Sequence, residues 1–515
     1  MEHIFISNED TAVVKTKQGK VRGYVYDNIV TFKGIPYAKA RRFHAPEPAE
    51  PWEGILDATS YGYVCPLLEL PKPGGELLVP HRYWVMNEDC QNLNIWTPFC
   101  DDKKRPVMVW LHGGGYEAGS AIEQIAYEGE NMSRLGDVVV VSINHRLNIL
   151  GYFDLSDFGE EYENSGNAGT DDIIAALRWI YENIALFGGD PDNVTVFGQS
   201  GGGAKITTLL QSPAADGLYS KGINMSGVVG TLLSDSTGSG KDLAHALMKE
   251  LGIGSVKEME TISYEKLAKA YLKVKPELIK EGRNVGCSPH PNRFYKGDPC
   301  VCGFREETAD IPLLVGTVFG EFTSFIPFKY DRNKMTYEEG KEKVKEELGD
   351  KASEKLLPLF SDAYPERNPV DLLNLDILFR LPAQEYIRKR SALNNCTYAY
   401  LFNLDLPVDG GRTPWHCADI PYVFHNTELV PVTQQAGMTE KTEKRIFDTV
   451  MAFAHTGDPN NESIPYWPAS TQEEEKTLVI SSDVCVKNNY DAELVAAVAD
   501  FSSRSMQVNI ENIQH

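Results

Sequence analysis

The sequence predicts an α/β protein, a mainly parallel central sheet flanked by helices. Three observations carry this expectation. From Asn92 onward, short apolar runs (LNIW, PVMVWL, VVVVSI, NVTVFG) alternate with helical patterns, and such alternation signals parallel strands joined by crossover helices. The run NVTVFG passes through a Gly-x-Ser-x-Gly turn, Gly198-Gln199-Ser200-Gly201-Gly202, into a helical AKITTLLQ. The run PVMVWL passes directly into a glycine loop, His112-Gly113-Gly114-Gly115-Tyr116.

Size and composition fit one large globular unit. The chain has 515 residues, 42% hydrophobic and 24% charged, and a core of that size needs no disulfide or metal staple. A single domain over 1–515 is expected, with helical insertions at about 229–310 and 325–410, because no long polar linker isolates either block. Those insertions are expected to form a cap over the active site.

Taken in order, residues 11–35 alternate and break at Gly19, Gly23 and Gly34, which reads as a small antiparallel meander. Pro36, Pro46, Pro48 and Pro51 then mark an irregular stretch. A helix is expected from Asp171 to about Phe187. Ile173, Leu177, Ile180 and Ile184 line one face, Thr170 caps it, Asp171 and Asp172 suit its positive end, and Gly188, Gly189 and Pro191 stop it. Charged helical patterns fill SYEKLAKAYLKVKPELIKEG and 336–390, and AELVAAVADF reads as a packing helix near the C-terminus.

The formal charge of −23 repels phosphate backbones and anionic lipid, so neither nucleic acid nor membrane is an expected partner. No stretch approaches the ~20 apolar residues that span a bilayer, and the N-terminus has no apolar signal region; the expected location is cytoplasmic. Composition leaves the oligomeric state open. Nine cysteines lack zinc spacing, and Cys300-Val301-Cys302 is too tight for a CxxC pair. Cys65 and Cys90 bracket a Pro- and Gly-rich loop whose closure contributes roughly 3 kcal/mol in an oxidising compartment, whereas a reducing one keeps both as thiols. No HExxH pair is present, and Gly238-Ser-Gly-Lys241 lacks the earlier glycine of a phosphate loop, so no cofactor or metal is expected.

The chemistry concentrates in the two glycine-bearing turns. Small residues flanking Ser200 let strand and helix approach closely and expose the hydroxyl at the sheet's edge. A glycine run leaves N–H groups free to face a substrate oxygen, as an acyl-transfer enzyme requires. The pentapeptide alone is also compatible with a Gly-rich helix cap among 43 glycines; the strand–turn–helix context favours the catalytic reading.

These segments, with Phe32-Lys-Gly-Ile-Pro-Tyr-Ala38, Asn87-Glu-Asp-Cys-Gln-Asn-Leu-Asn-Ile-Trp96, Asn144-His-Arg146, Gly188-Gly-Asp-Pro191, Pro312-Leu-Leu-Val-Gly316 and Ile420-Pro-Tyr-Val-Phe424, span nearly the whole chain. Together they resemble the type-B carboxylesterase/lipase family, which includes cholinesterases and bacterial para-nitrobenzyl-esterase-like enzymes. The resemblance implies an α/β-hydrolase fold and a serine carboxylesterase acting on a small-molecule ester through an acyl-enzyme. It implies Ser200 as nucleophile, Glu321 as orienting acid, His416 as general base, and Gly114, Gly115 and Gly201 as oxyanion-hole donors. Glu321 follows the strand-like IPLLVGT, and His416 alone of His416, His425, His455 and His515 sits in a loop after a strand that leads into the family's histidine segment. His112 reads as a structural member of the glycine loop.

Departures from the family pattern qualify the substrate. Gln199 replaces the usual Glu, which weakens any preference for cations, and the aromatic residues around Tyr83 and Trp84 do not match a choline site. Cys417 stands where the family usually has Gly. Trp415, Phe319, Phe322 and Phe325 line either an apolar entrance or the core. Two other readings stay open: a non-catalytic binding protein on the same fold, and a serine hydrolase directed at amides or peptides.

Overall fold

A computed structural model describes residues 3–8, 10–69, 75–229, 237–283, 285–324 and 329–502. Phe325 and His515 lie outside the described residues. The chain divides into two compact units. The first comprises Met1–Pro73, His81–Gly227 and Thr231–Pro312; the second comprises Gly74–Pro80, Val228–Gly230 and Leu313–His515.

The strands of the first unit are β1 (Phe5–Ile6), β2 (Val13–Lys15), β3 (Lys20–Arg22), β4 (Tyr24–Tyr26), β5 (Ile29–Pro36), β6 (Ala38–Lys39), β7 (Glu47–Pro48), β8 (Ile55–Asp57), β9 (Asn92–Thr97), β10 (Arg105–Leu111), β11 (Val139–Ile143), β12 (Gly189–Gln199) and β13 (Lys221–Met225). Its main sheet runs β1-β4-β5-β9-β11-β10-β12-β13. Strands β11, β10, β12 and β13 are parallel. Strand β9 is antiparallel to both neighbours. Every residue of β9, β10 and β11 is buried, as the continuous Val/Ile/Leu runs require of strands covered on both faces. In the second unit β14 (Leu313–Val318), β15 (Thr397–Phe402) and β16 (Lys476–Ile480) are parallel, and β17 (Val484–Asn488) closes the edge antiparallel.

The expected N-terminal meander divides. Strands β2 and β3 pair with each other, and β3 pairs on its other side with β8, some thirty residues downstream, while β4 and β5 join the main sheet. Alternation foretells that a strand exists; it carries no information about so distant a partner. The proline-rich stretch is not wholly irregular either, since Ala38 and Lys39 pair with Pro48 and Glu47.

The helix expected from Asp171 begins earlier and ends sooner. It spans Ala168–Asn183 and tightens into a 3-10 turn, Ile184–Phe187, before Gly188. Thr170 lies inside its first turn, so it is not the cap. The capping position falls to Asn167, whose side-chain oxygen instead accepts the His290 N–H at 2.9 Å. Asp172 serves a partner rather than the helix dipole. It is fully buried and accepts from the Arg146 backbone N–H at 2.9 Å, Nε at 2.8 Å and a terminal nitrogen at 2.7 Å. Asp172→Ala leaves that guanidinium buried and uncompensated, and is expected to cost ~3–5 kcal/mol, read as a lowered denaturant midpoint.

Helices Gly240–Leu251 and Tyr264–Lys280 of the first unit pack over an apolar cluster with Leu243, Leu247, Leu267, Tyr271 and Leu278 at its centre. Helices Tyr337–Leu348, Asp350–Ala363, Arg380–Ser391 and Ala492–Ser502 belong to the second unit. No helix among the described residues is long and apolar enough to cross a membrane. Cys65 and Cys90 are buried free thiols.

Candidate active site

Strand β12 ends in a strained turn. Ser200 has φ 57° and ψ −125°, a conformation that L residues other than glycine adopt only when their surroundings enforce it. The enforcement comes from β10: a Cβ on Gly202 would fall 1.9 Å from the Leu111 carbonyl oxygen, and one on Gly198 would fall 2.6 Å from the same atom. Glycine at both places lets the helix Gly201–Leu210 start directly against the strand. The Ser200 N–H donates to the Met225 carbonyl of β13 at 2.8 Å, which pins the turn to the sheet.

The glycine loop after β10 lies against this turn. A Cβ on Gly113 would stand 3.5 Å from the Ser200 Cβ, and one on Gly201 would collide with backbone atoms of Gly115 at 2.2–2.5 Å. Gly114 and Gly115 adopt φ +83° and +62°, so the chain reverses here in a way that side chains oppose. Ser200, Gly114, Gly115 and Gly201 are therefore gathered within the first unit.

Beneath the loop, the His112 ring is buried, contacts the Gly113 carbonyl oxygen through Nδ1 at 2.9 Å and stacks on His145 at 5.0 Å. Burial pushes its pKa well below the usual histidine value, so it remains neutral, consistent with a structural part. Sequence reasoning missed the residue it meets. Lys205, 1% exposed, donates from Nζ to the His112 carbonyl oxygen at 2.9 Å. Burial pushes this ammonium down to about 7, opposed by the Glu123 charge.

Glu321 and His416 are assembled in the second unit. Glu321 follows β14 and is fully buried; its Oε1 accepts the Val318 N–H at 2.9 Å. Its Oε2 lies 2.5 Å from His416 Nδ1, and its backbone carbonyl accepts the His416 N–H at 2.5 Å. The imidazole is thus held twice by one residue. Phe322 and Phe379 lie on it at centroid distances of 5.6 and 5.1 Å, each tilted 30°.

Two further carboxyls support this pair. Asp376 accepts the N–H groups of Leu378, Phe379 and Arg380, which fixes Phe379 against the ring; burial, with the Glu321 charge second, pushes Asp376 up to about 7. Asp419 accepts from the Tyr400 hydroxyl at 2.7 Å, and burial pushes it up to about 6.

The other histidines are placed differently. His425 faces Glu443 at 3.5 Å and packs edge-on to Phe447, and His455 lies in the last turn of the helix Thr439–Thr456. Phe319 belongs to the core, against Tyr364 and under Arg367, and Trp415 is 1% exposed, whereas Phe322 lies on the imidazole beside Phe379. Cys417 has φ +75°, which explains why glycine suits this position. Cys417→Gly is expected to raise stability by roughly 1 kcal/mol, measured by denaturant titration.

Known proteins resemble this chain over nearly its whole length. The family model described as "Carboxylesterase family" matches residues 10–498. The para-nitrobenzyl esterase of Bacillus subtilis is 34% identical over 503 residues, covering 93% of this chain and 97% of that protein. A solved esterase from Clostridium hathewayi, said to hydrolyse aliphatic aromatic polyesters, superposes with a TM-score of 0.94 at 49% identity, covering 96% of this chain and 99% of that one. A thermophilic para-nitrobenzyl esterase superposes with a TM-score of 0.75 at 32% identity, over 94% of this chain and 99% of the other.

Proposed function

The chain belongs to the carboxylesterase family, has the α/β-hydrolase fold and is a carboxylic ester hydrolase, and we propose that it works through a Ser200–His416–Glu321 triad with an oxyanion hole at Gly114, Gly115 and Gly201. The observation that carries this reading is the strained Ser200 turn packed against a glycine loop of left-handed backbone. Further support comes from the buried Glu321–His416 pair and from the family resemblance of both segments.

In this mechanism Ser200 Oγ attacks the ester carbonyl as neutral His416 takes its proton through Nε2. Glu321, accepting from Nδ1–H, holds that tautomer and stabilises the imidazolium. The oxyanion sits against the N–H groups of Gly114, Gly115 and Gly201, each donor worth on the order of 10²–10³ in rate. Collapse of the tetrahedral intermediate expels the alcohol, which takes the proton from His416. Water, deprotonated by the same imidazole, then releases the acid and restores the Ser200 hydroxyl.

The Clostridium hathewayi relative makes esters of an aromatic acid with aliphatic alcohols the substrate class proposed first. Purified protein is tested with a para-nitrophenyl ester, the matching anilide and a dialkyl terephthalate. Fast release from the first and third, with little from the anilide, is expected. Anilide cleavage at a comparable rate would instead favour an amide-directed hydrolase.

A further inference from the structure

The proposed oxyanion hole draws its donors from two segments that follow different strands: Gly114 and Gly115 after β10, and Gly201 at the start of the helix after β12. Lys205 lies on that helix, five residues beyond Ser200, with its side chain buried. Its Nζ donates to the carbonyl of His112, the residue immediately before the glycines, at 2.9 Å. One hydrogen bond thus ties the elbow helix to the root of the loop. Burying an ammonium is costly, and the tie alone could be made by a neutral donor.

Around the ammonium stand a carboxyl and an aromatic ring. Half-buried Glu123 supplies the opposing carboxylate and is itself pushed up to about 7 by burial, against the pull of Lys205. A Cβ on Gly119 would stand 3.1 Å from Glu123 Oε1 and 2.7 Å from His112 Nδ1, so carboxylate and imidazole face the same bend of the loop. The Tyr116 ring, one residue beyond the glycines, has Nζ 6.0 Å from its centroid.

Resting on the proposed triad and hole, we propose that Lys205 is a positioning residue of the oxyanion hole. It holds the His112–Gly115 loop in register with Gly201 and, while protonated, sets a positive charge at the root of the loop that carries the proposed donors. It touches no reacting atom. The rate contribution comes through loop placement and the field of a preorganised charge in a dry site.

The test compares Lys205→Arg, Lys205→Gln and Lys205→Met with the parent protein. Four quantities are measured: kcat and KM for a para-nitrophenyl ester, the affinity for an aryl trifluoromethyl ketone (whose hemiketal with the serine hydroxyl places an oxyanion in the hole), and the melting temperature. Lys205→Met is expected to lower kcat roughly ten- to a hundredfold with KM little changed, and to weaken ketone binding by a similar factor. Lys205→Arg should recover most of both losses; Lys205→Gln, which keeps a donor without the charge, should recover less. A lower melting temperature with kcat and ketone affinity unchanged would overturn the proposal, as would a change confined to KM. If Lys205→Met does not fold, the Arg and Gln variants decide by the same criteria. Fluorophosphonate labelling of Ser200 in every variant separates this inference from the triad: labelling that persists while ketone affinity ignores position 205 refutes only the role of Lys205, whereas an unlabelled Ser200 in the parent refutes the triad.

Discussion

Ser200→Ala is expected to lower kcat/KM for a para-nitrophenyl ester by on the order of 10⁴–10⁶-fold while leaving the protein folded. A residue at φ 57° is retained there by its surroundings, and alanine pays the same backbone strain, so the turn should survive. The hydroxyl makes the bond that defines covalent catalysis, and its loss removes the work of the imidazole and carboxylate with it. Groups that act as one unit do not lose their effects additively, so adding His416→Ala to Ser200→Ala should lower the rate little further. A melting temperature close to that of the parent protein is the expected control, since the backbone strain is the same in both. Residual turnover within a hundredfold of the parent, in protein free of contaminating esterase, would place the nucleophile elsewhere.

Glu321→Gln is expected to cost on the order of 10³–10⁴ in kcat/KM. The reason lies in which way the new amide must face. Oε1 of Glu321 accepts from the Val318 N–H, so the amide carbonyl takes that side and its NH₂ turns to His416 Nδ1. Nδ1 then becomes an acceptor, and the ring proton moves to Nε2, where it blocks proton removal from serine. The substitution changes few contacts, so the loss should appear in activity with little change in the circular dichroism spectrum. Activity within tenfold of the parent would mean that another carboxylate orients the imidazole, and Asp419 would be the first to examine.

The sequence foretold the parts of this molecule that depend on local pattern. Runs of Val, Ile and Leu marked the buried strands, and the glycines at 198 and 202 marked a turn that the Leu111 carbonyl leaves no room to alter. Glu321 and His416 were legible mainly through resemblance, since a preceding strand-like run is all that sets either apart from a solvated residue. What escaped was decided by distant neighbours. Its place just ahead of the aspartates suits Thr170 to a cap, but the helix starts at Ala168 and Asn167 is engaged by His290, far along the chain. Asp172 suited a helix dipole by position, yet it answers Arg146.

Lys205 was silent for a related reason. In AKITTLLQ a lysine reads as the solvated side of a short helix, and only the carbonyl above it and Glu123 opposite explain its burial. Phe379 and Asp376 likewise come to His416 from a segment about forty residues away, which no periodicity could foretell.

Mass spectrometry of the protein after treatment with a fluorophosphonate, read alongside residual esterase activity, locates the nucleophile. A Ser200 nucleophile gives one adduct per chain, on the peptide carrying Ser200, with activity falling in proportion to labelling, and reaction at least a hundredfold slower in His416→Ala. An adduct on another residue, or full activity after Ser200 is completely modified, would contradict it.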